Sequence, residues 1–205
     1  MTRHRTPEQR REEILEAAAA ELIDSGSSRL TMEAVAARTA LSKGGVYRFF
    51  ANRGELSLAL FARCYERALD FDMREVLDWG LPLRETVFRL LFSRFDESHS
   101  LDESVWVRLI PETLRDPRFR RERMRLTARI RERFAELVRC VVERDGLRVR
   151  PGFDERLDTS LMLGQAMLEG LTLQGPAGEP RGERAELLLR FIDLLLHDAL
   201  EVGDG

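Results

Sequence analysis

Of the 33 basic residues in this 205-residue chain only one is a lysine, Lys43. It lies in Ser42-Lys43-Gly44-Gly45-Val46-Tyr47-Arg48, and Arg53 follows, with no acidic residue from Leu41 through Gly54. A flexible ammonium meets a phosphate or a guanine edge as a point charge, whereas a guanidinium is a planar fork. Gly44 and Gly45 leave the backbone bare, so it can approach another surface closely. The hydroxyls of Thr31 and Ser42 are short polar groups suited to a helix cap or a phosphate oxygen. Such residues do no covalent chemistry; they suit non-covalent recognition of duplex DNA, through its phosphates and its major groove. On this reading Lys43, Tyr47 and Arg48 carry much of the affinity, and Thr31, Ser42 and Arg53 hold the backbone. Gly44 and Gly45 act by close approach. An arginine-biased coding sequence would also leave one lysine at random, so its solitude only supports the assignment.

Two short helices must position these groups. Thr31 is the expected N-cap of the first, with Met32, Val35 and Ala36 on its apolar face. Thr39-Ala40-Leu41 makes the turn and Ser42 caps the second helix, in which Val46, Phe49 and Phe50 anchor one face. Asn52-Arg53-Gly54-Glu55 is a capping-box variant that opens the next helix. Upstream, Pro7 suits a first helical turn, and the helix to Ser25 places Ile14, Leu15, Ala18 and Leu22 on one face. Residues 1–6, with Arg3, His4 and Arg5, read as an unstructured basic start. The result is a three-helix head over residues 1–54.

Residues 55–205 read as a larger helical body. No glycine or proline falls between Glu55 and Asp78, which predicts one continuous helix from Arg53 to Asp78. Trp79-Gly80-Leu81-Pro82 breaks the chain, and Pro82 starts a helix with Val87, Leu90, Leu91 and Phe95 inward. Ser98-His99-Ser100 is expected as a polar loop, followed by a short helix from Ser104 to Leu114 interrupted by Pro111. A long charged helix from Arg118 to about Asp145 has Met124, Ile130, Phe134, Leu137, Val138 and Val141 as its predicted buried seam. Two more helices, about 153–174 and 183–202, flank the linker Gly175-Pro176-Ala177-Gly178-Glu179-Pro180. The expected fold class is all-α.

Composition sets limits. A net charge of −3 does not announce a nucleic-acid binder, but phosphate attraction depends on the local surface. Cys64 and Cys140 lack metal-ligand spacing and read as reduced thiols. The apolar run Leu187–Leu196 is broken by Arg190 and Asp193 and is too short to span a bilayer. The polar start MTRHRTPEQRR lacks the apolar core of a signal peptide, so the cytoplasm is the expected location. His4, His99 and His197 are scattered, and no serine, cysteine or carboxylate set forms a catalytic arrangement. Gly44-Gly45 lacks the spacing of a phosphate-binding loop. No enzyme activity and no cofactor are expected.

The ordered residues Thr31, Ala34-Val35-Ala36-Ala37, Leu41 to Phe50, and Asn52-Arg53-Gly54-Glu55-Leu56 resemble the TetR family of bacterial transcriptional regulators. The likeness is strong over the first quarter of the chain and architectural beyond it. Ala40 stands where the family usually has glycine, a departure that matters if the turn needs positive φ. Gly54 replaces a commoner acidic or polar residue. Val107 to Phe134 and Met167 to Gln174 are similar to the BetI-like subgroup. The resemblance implies a dimeric regulator, most simply a repressor, that binds a palindromic operator and leaves it when a small-molecule inducer occupies the body. Phe88, Phe92, Trp106, Glu112, Gln165 and Glu169 are the pocket candidates. Leu161, Leu168 and Leu171 alternate with Gly164, Ala166 and Gly170, and Leu187, Phe191, Leu194 and Leu195 form a stripe on the last helix. These two helices are the expected homodimer interface, although such stripes also fill a monomer's own core. Two other readings stay open: a helical interaction protein that keeps the fold without reading DNA specifically, and a ligand-independent architectural DNA binder.

Overall fold

The computed structural model describes residues 5–68, 71–92, 97–173 and 181–201. Among these residues the chain forms ten α-helices, one 3₁₀ turn and no strand; a single isolated bridge joins Val149 to Leu200. Two compact units emerge, residues 1–67 with 100–126 and residues 68–99 with 127–205.

The first unit opens with α1 (Pro7–Ser25). Thr6 caps it in a reciprocal box: the Gln9 N–H donates to Thr6 Oγ1 at 3.2 Å and the Thr6 N–H to Gln9 Oε1 at 2.9 Å. The end of the basic start is therefore structural; Arg3 and His4 lie outside the described residues. Ile14, Leu15, Ala18 and Leu22 are all buried, as helical spacing requires. Gly26, at φ 80°, ends the helix where an L side chain would be strained. Next come α2 (Met32–Ala37), α3 (Lys43–Tyr47) and α4 (Arg53–Ala68). Phe61 of α4 is fully buried and meets Tyr65 at 5.1 Å and Phe119 at 5.5 Å between ring centroids. Phe119 belongs to α8 (Pro117–Asp145), which follows α7 (Glu97–Arg115). From α7, Val105 and Leu109 are buried and Trp106 Nε1 donates to the Tyr65 hydroxyl at 3.0 Å. The end of α7 and the start of α8 thus pack with the three-helix head.

The second unit contains α5 (Met73–Asp78), α6 (Leu83–Phe92), the remainder of α8, α9 (Phe153–Leu173) and α10 (Arg181–Ala199). Its core is built from Val76, Leu83, Leu90, Leu91, Phe134, Leu137, Val138, Val141, Leu157, Leu188 and Ile192. The Arg89 guanidinium sits 4.1 Å over the Trp79 ring, and Arg84 of α6 bridges Asp193 of α10. Beyond α10, Glu201 N–H donates to Arg148 O at 3.0 Å, tying the chain to the loop after α8.

Four expectations are corrected. The helix from Arg53 does not reach Asp78: α4 ends at Ala68, Phe71 and Asp72 are not helical, and α5 starts afresh. The cause is the Asp72 carboxylate, which accepts from the Arg74 and Glu75 N–H groups at 2.7 and 3.3 Å and so caps a new helix. Residues 98–100 are helical and belong to α7, which also runs through Pro111. Proline removes one backbone donor there, and the Thr113 hydroxyl donates to Ile110 O at 2.6 Å just beyond it. Met124 does not join the α8 seam; it is 66% exposed, whereas Leu126 on another side of the helix is buried. Gly164 makes room inside the chain, since a side-chain carbon there would stand 3.2 Å from the Phe191 ring of α10.

Candidate nucleic-acid interface

Local chemistry builds the two-helix element. Thr31 Oγ1 accepts from the Ala34 N–H at 3.1 Å and Ser42 Oγ from the Gly45 N–H at 3.1 Å, so each starts its helix. Each hydroxyl keeps its own proton to donate to a phosphate oxygen. Between them the Thr39 hydroxyl donates to Ala36 O and accepts from the Leu41 N–H. Among the described residues no non-glycine residue has positive φ. Ala40 therefore fits this turn without strain. Val46 and Phe50 are buried, which turns the other faces of α3 outward.

The structure brings Lys43, Tyr47 and Arg48 together on that outer surface. Tyr47 is 42% exposed, and Lys43 Nζ lies 5.8 Å from its ring centre. Arg48 caps the C-terminus of α3 and is exposed, and its side chain makes no ion pair or hydrogen bond among the described residues. Lys43 is held by Glu33 of α2 in an ion pair whose two side chains are each 56% exposed. The hydrogen bond from Lys43 holds the Glu33 carboxyl below its ordinary value, and the same bond raises the lysine. Glu33 escaped the sequence reading because it lies outside the acid-free window. An ammonium has three donors, so one partner leaves it able to meet another acceptor.

Arg53 is more committed. Its Nη2 donates to Ser27 O at 2.6 Å and lies 3.9 Å from Glu112 Oε1. Asn52 Oδ1 accepts from the Glu55 N–H while Glu55 Oε2 accepts from the Ala51 N–H, a capping-box variant whose return bond reaches one residue before the cap. A side-chain carbon at Gly54 would stand 3.1 Å from both Arg118 Nη2 and Asn52 Oδ1, which accounts for glycine at this place. The glycines of α3 differ. At Gly44 a side-chain carbon would meet only Ser42 Oγ, at 3.9 Å; at Gly45 it would press on Leu41 Cβ at 3.3 Å.

Charge separates in the same sense. The first unit has 18 basic and 14 acidic residues, net +4, and the second 15 and 22, net −7, which together restore the chain's −3.

The pocket candidates divide between the units. Trp106 and Glu112 lie in the first, bonded to Tyr65 and facing Arg53 respectively. Phe88, Gln165 and Glu169 lie in the second, where Phe88 packs on the core. Gln165 Nε2 donates to Glu169 Oε1 at 3.0 Å, and Gln165 Oε1 is buried without a hydrogen-bond partner among the described residues. Phe92 is the last residue of α6, and its side chain lies outside the described residues. Neither unit contains, among the described residues, a cluster able to hold a metal ion, or a helix long and apolar enough to cross a membrane.

Residues 14–60 match the profile of the bacterial regulatory proteins of the tetR family, and residues 84–197 that of the BetI-type transcriptional repressor C-terminal region. The chain belongs to the TetR family. It is a transcriptional regulator of that family. The chain is 33% identical over 99 residues to the uncharacterized HTH-type transcriptional regulator YhgD of Bacillus subtilis, a match covering 47% of this chain and 51% of that protein. The chain thus spans about half the length of this curated relative. A transcriptional regulator from Rhodococcus sp. Rha1 has the same fold at TM-score 0.75, with 20% identity over 94% of this chain and 98% of its own. A regulator from Saccharomonospora viridis, solved in complex with choline, superposes at TM-score 0.71 with 21% identity over 95% of this chain and 100% of its own.

Proposed function

We propose that this TetR-family regulator is a repressor that binds a palindromic operator as a homodimer and leaves it when a small molecule occupies the body. The observation that carries the reading is the Ser42-capped α3, which presents Lys43, Tyr47 and the unpaired Arg48 on one exposed surface of a positively charged unit. Thr31, Ser42 and Arg53 would meet the phosphates, with Gly44 and Gly45 as the points of closest backbone approach. Residues 1–54 would read DNA, and 55–205 would sense the ligand and pair the subunits, in the cytoplasm.

Dimerisation through α9 and α10 is supported by the apolar groups they leave outside. Met162, Leu163, Leu187 and Leu194 are each about half exposed or more, and Leu194 reaches 70%. Such surface suits a partner better than water. Leu161, Leu168 and Leu171 pack inward, so the pairing face is the complementary one.

Small-molecule control is supported by the buried, unpartnered Gln165 Oε1 beside Glu169, a pair that could anchor a polar or cationic group. The Saccharomonospora viridis regulator in complex with choline makes a cationic ligand the first class to screen. Signal transfer along an unbroken helix to Asp78 is ruled out by the Asp72 cap. The Arg53–Glu112 contact gives α7 a direct route to the start of α4 instead.

Duplexes selected from a random pool and then footprinted test the proposal. The expected result is two-fold protection with half-sites about one turn apart, ~34–36 Å or somewhat more. Joint alanine substitution of Lys43, Tyr47 and Arg48 should abolish it, and Leu194→Glu should yield monomers in sedimentation. A single asymmetric site bound by a monomer would refute the reading.

A further inference from the structure

The junction of α7 and α8 carries Arg115, Arg118, Arg120, Arg121, Arg123 and Arg125 against only Asp116 and Glu122. Arg118 and Arg125 are committed locally. Arg118 chelates Asp116, with its nitrogens 2.7 and 3.0 Å from Oδ2, and Arg125 pairs with Glu122. Arg115, Arg120 and Arg121 are exposed, and their side chains make no ion pair or hydrogen bond among the described residues. The acid that feels Arg121 is Asp116, already bound by Arg118. Unpaired guanidinium groups this close together repel one another, so a polyanion is the partner they suit.

Their place in the first unit decides which polyanion. Arg118 lies against Gly54 and acts on Glu55, in the first turn of α4, and Arg125 acts on Glu66 near its end. The helix α8 therefore starts at the end of α4 that follows α3 directly, and runs away from it. Phe119 and Leu126 are buried, which anchors the helix that carries these arginines. The segment Arg115–Arg121 thus stands beside Arg53 and shares the unit that bears Lys43, Tyr47 and Arg48.

We infer that Arg115, Arg120 and Arg121 form a second DNA-contacting surface that holds the phosphates flanking the sequence read by α3. This rests on the DNA-binding reading above. It adds affinity and no base preference, because the contacts are with the backbone alone. Each phosphate met by an arginine adds about 0.9 to the slope of log affinity against log salt. Loss of one contact therefore removes about 3.5-fold from the affinity change between 50 and 200 mM salt.

The test uses the full chain, and two duplexes carrying the sequence selected above: one trimmed to the protected core, one with eight further base pairs on each side. Wild type should bind the longer duplex more tightly and with a steeper salt dependence. The triple variant Arg115→Ala/Arg120→Ala/Arg121→Ala should lose that difference, flattening the slope by up to about 3 per subunit, while its thermal melt and its preference among core sequences stay unchanged. The corresponding triple lysine variant keeps the charge and should retain most of the gain. If the alanine variant keeps the flank gain and the slope, this inference falls and the repressor reading stands. A wild-type chain that selects no duplex overturns both.

Discussion

Gly44→Ala separates the two roles a bare backbone can have in α3. In the free chain the new methyl would meet only Ser42 Oγ, at 3.9 Å, an ordinary contact. Gly44 is not among the glycines with positive φ, so alanine adopts the backbone without strain. Helix propensity favours alanine by up to about 0.8–1.0 kcal/mol, and a less flexible unfolded chain acts in the same direction. For a protein of this size that raises the melting temperature by about 2–4 °C. Binding should move the other way. If this backbone faces the operator, the methyl occupies space that a phosphate or base edge needs. Losing one good base contact costs about 1–3 kcal/mol, or roughly 5- to 150-fold in affinity. Circular dichroism melts and fluorescence anisotropy at fixed salt read the two effects on the same sample. Higher stability with unchanged affinity would refute the placement of Gly44 at the DNA. Lower stability would refute the open space around it. Gly45→Ala is the contrast: its methyl presses on Leu41 Cβ at 3.3 Å, so the propensity gain is offset within the turn.

Asp72→Ala removes the cap of α5 and should cost about 1 kcal/mol, read as a lower melting temperature with faster amide exchange at Arg74 and Glu75. Phe61→Ala empties a fully buried site between Tyr65 and Phe119 and should cost about 3–5 kcal/mol, read as an earlier urea midpoint. The hydrogen bond from Arg84 holds the Asp193 carboxyl below its ordinary value of 3.8. Its contribution is therefore present above that value and lost as pH falls through the lower folded one. Because both side chains are substantially exposed the effect is small, and Asp193→Asn should remove this part of the acid sensitivity in melts taken across that range.

The helical punctuation of the head was legible in the sequence because a cap acts within four residues. Thr31, Ser42 and the Asn52–Glu55 box each bond to a backbone group at most that far away, so residue type and spacing carry the whole signal. Asp72 was legible for the same reason, but the absence of glycine and proline around it suggested continuity and masked the cap. The apolar periodicity of α1 likewise identified its buried face, whereas the polar run at 98–100 suggested a loop where the chain is helical.

Contacts between distant segments follow a different logic. Glu33 holds Lys43, Glu112 lies against Arg53, and Arg118 fills the space that Gly54 leaves. No periodicity links these positions; each pair exists because two helices pack with a particular offset and rotation. The same packing turned Leu161 and Leu168 inward, left Met162 and Leu163 outside, and spent Gly164 on the Phe191 ring. From its own residues the chain determined where helices are capped and which basic, glycine-bearing helix is the candidate for meeting DNA. Which acids hold those cations, and which apolar groups stay exposed, was decided only by tertiary packing, because both depend on neighbours that local sequence does not specify.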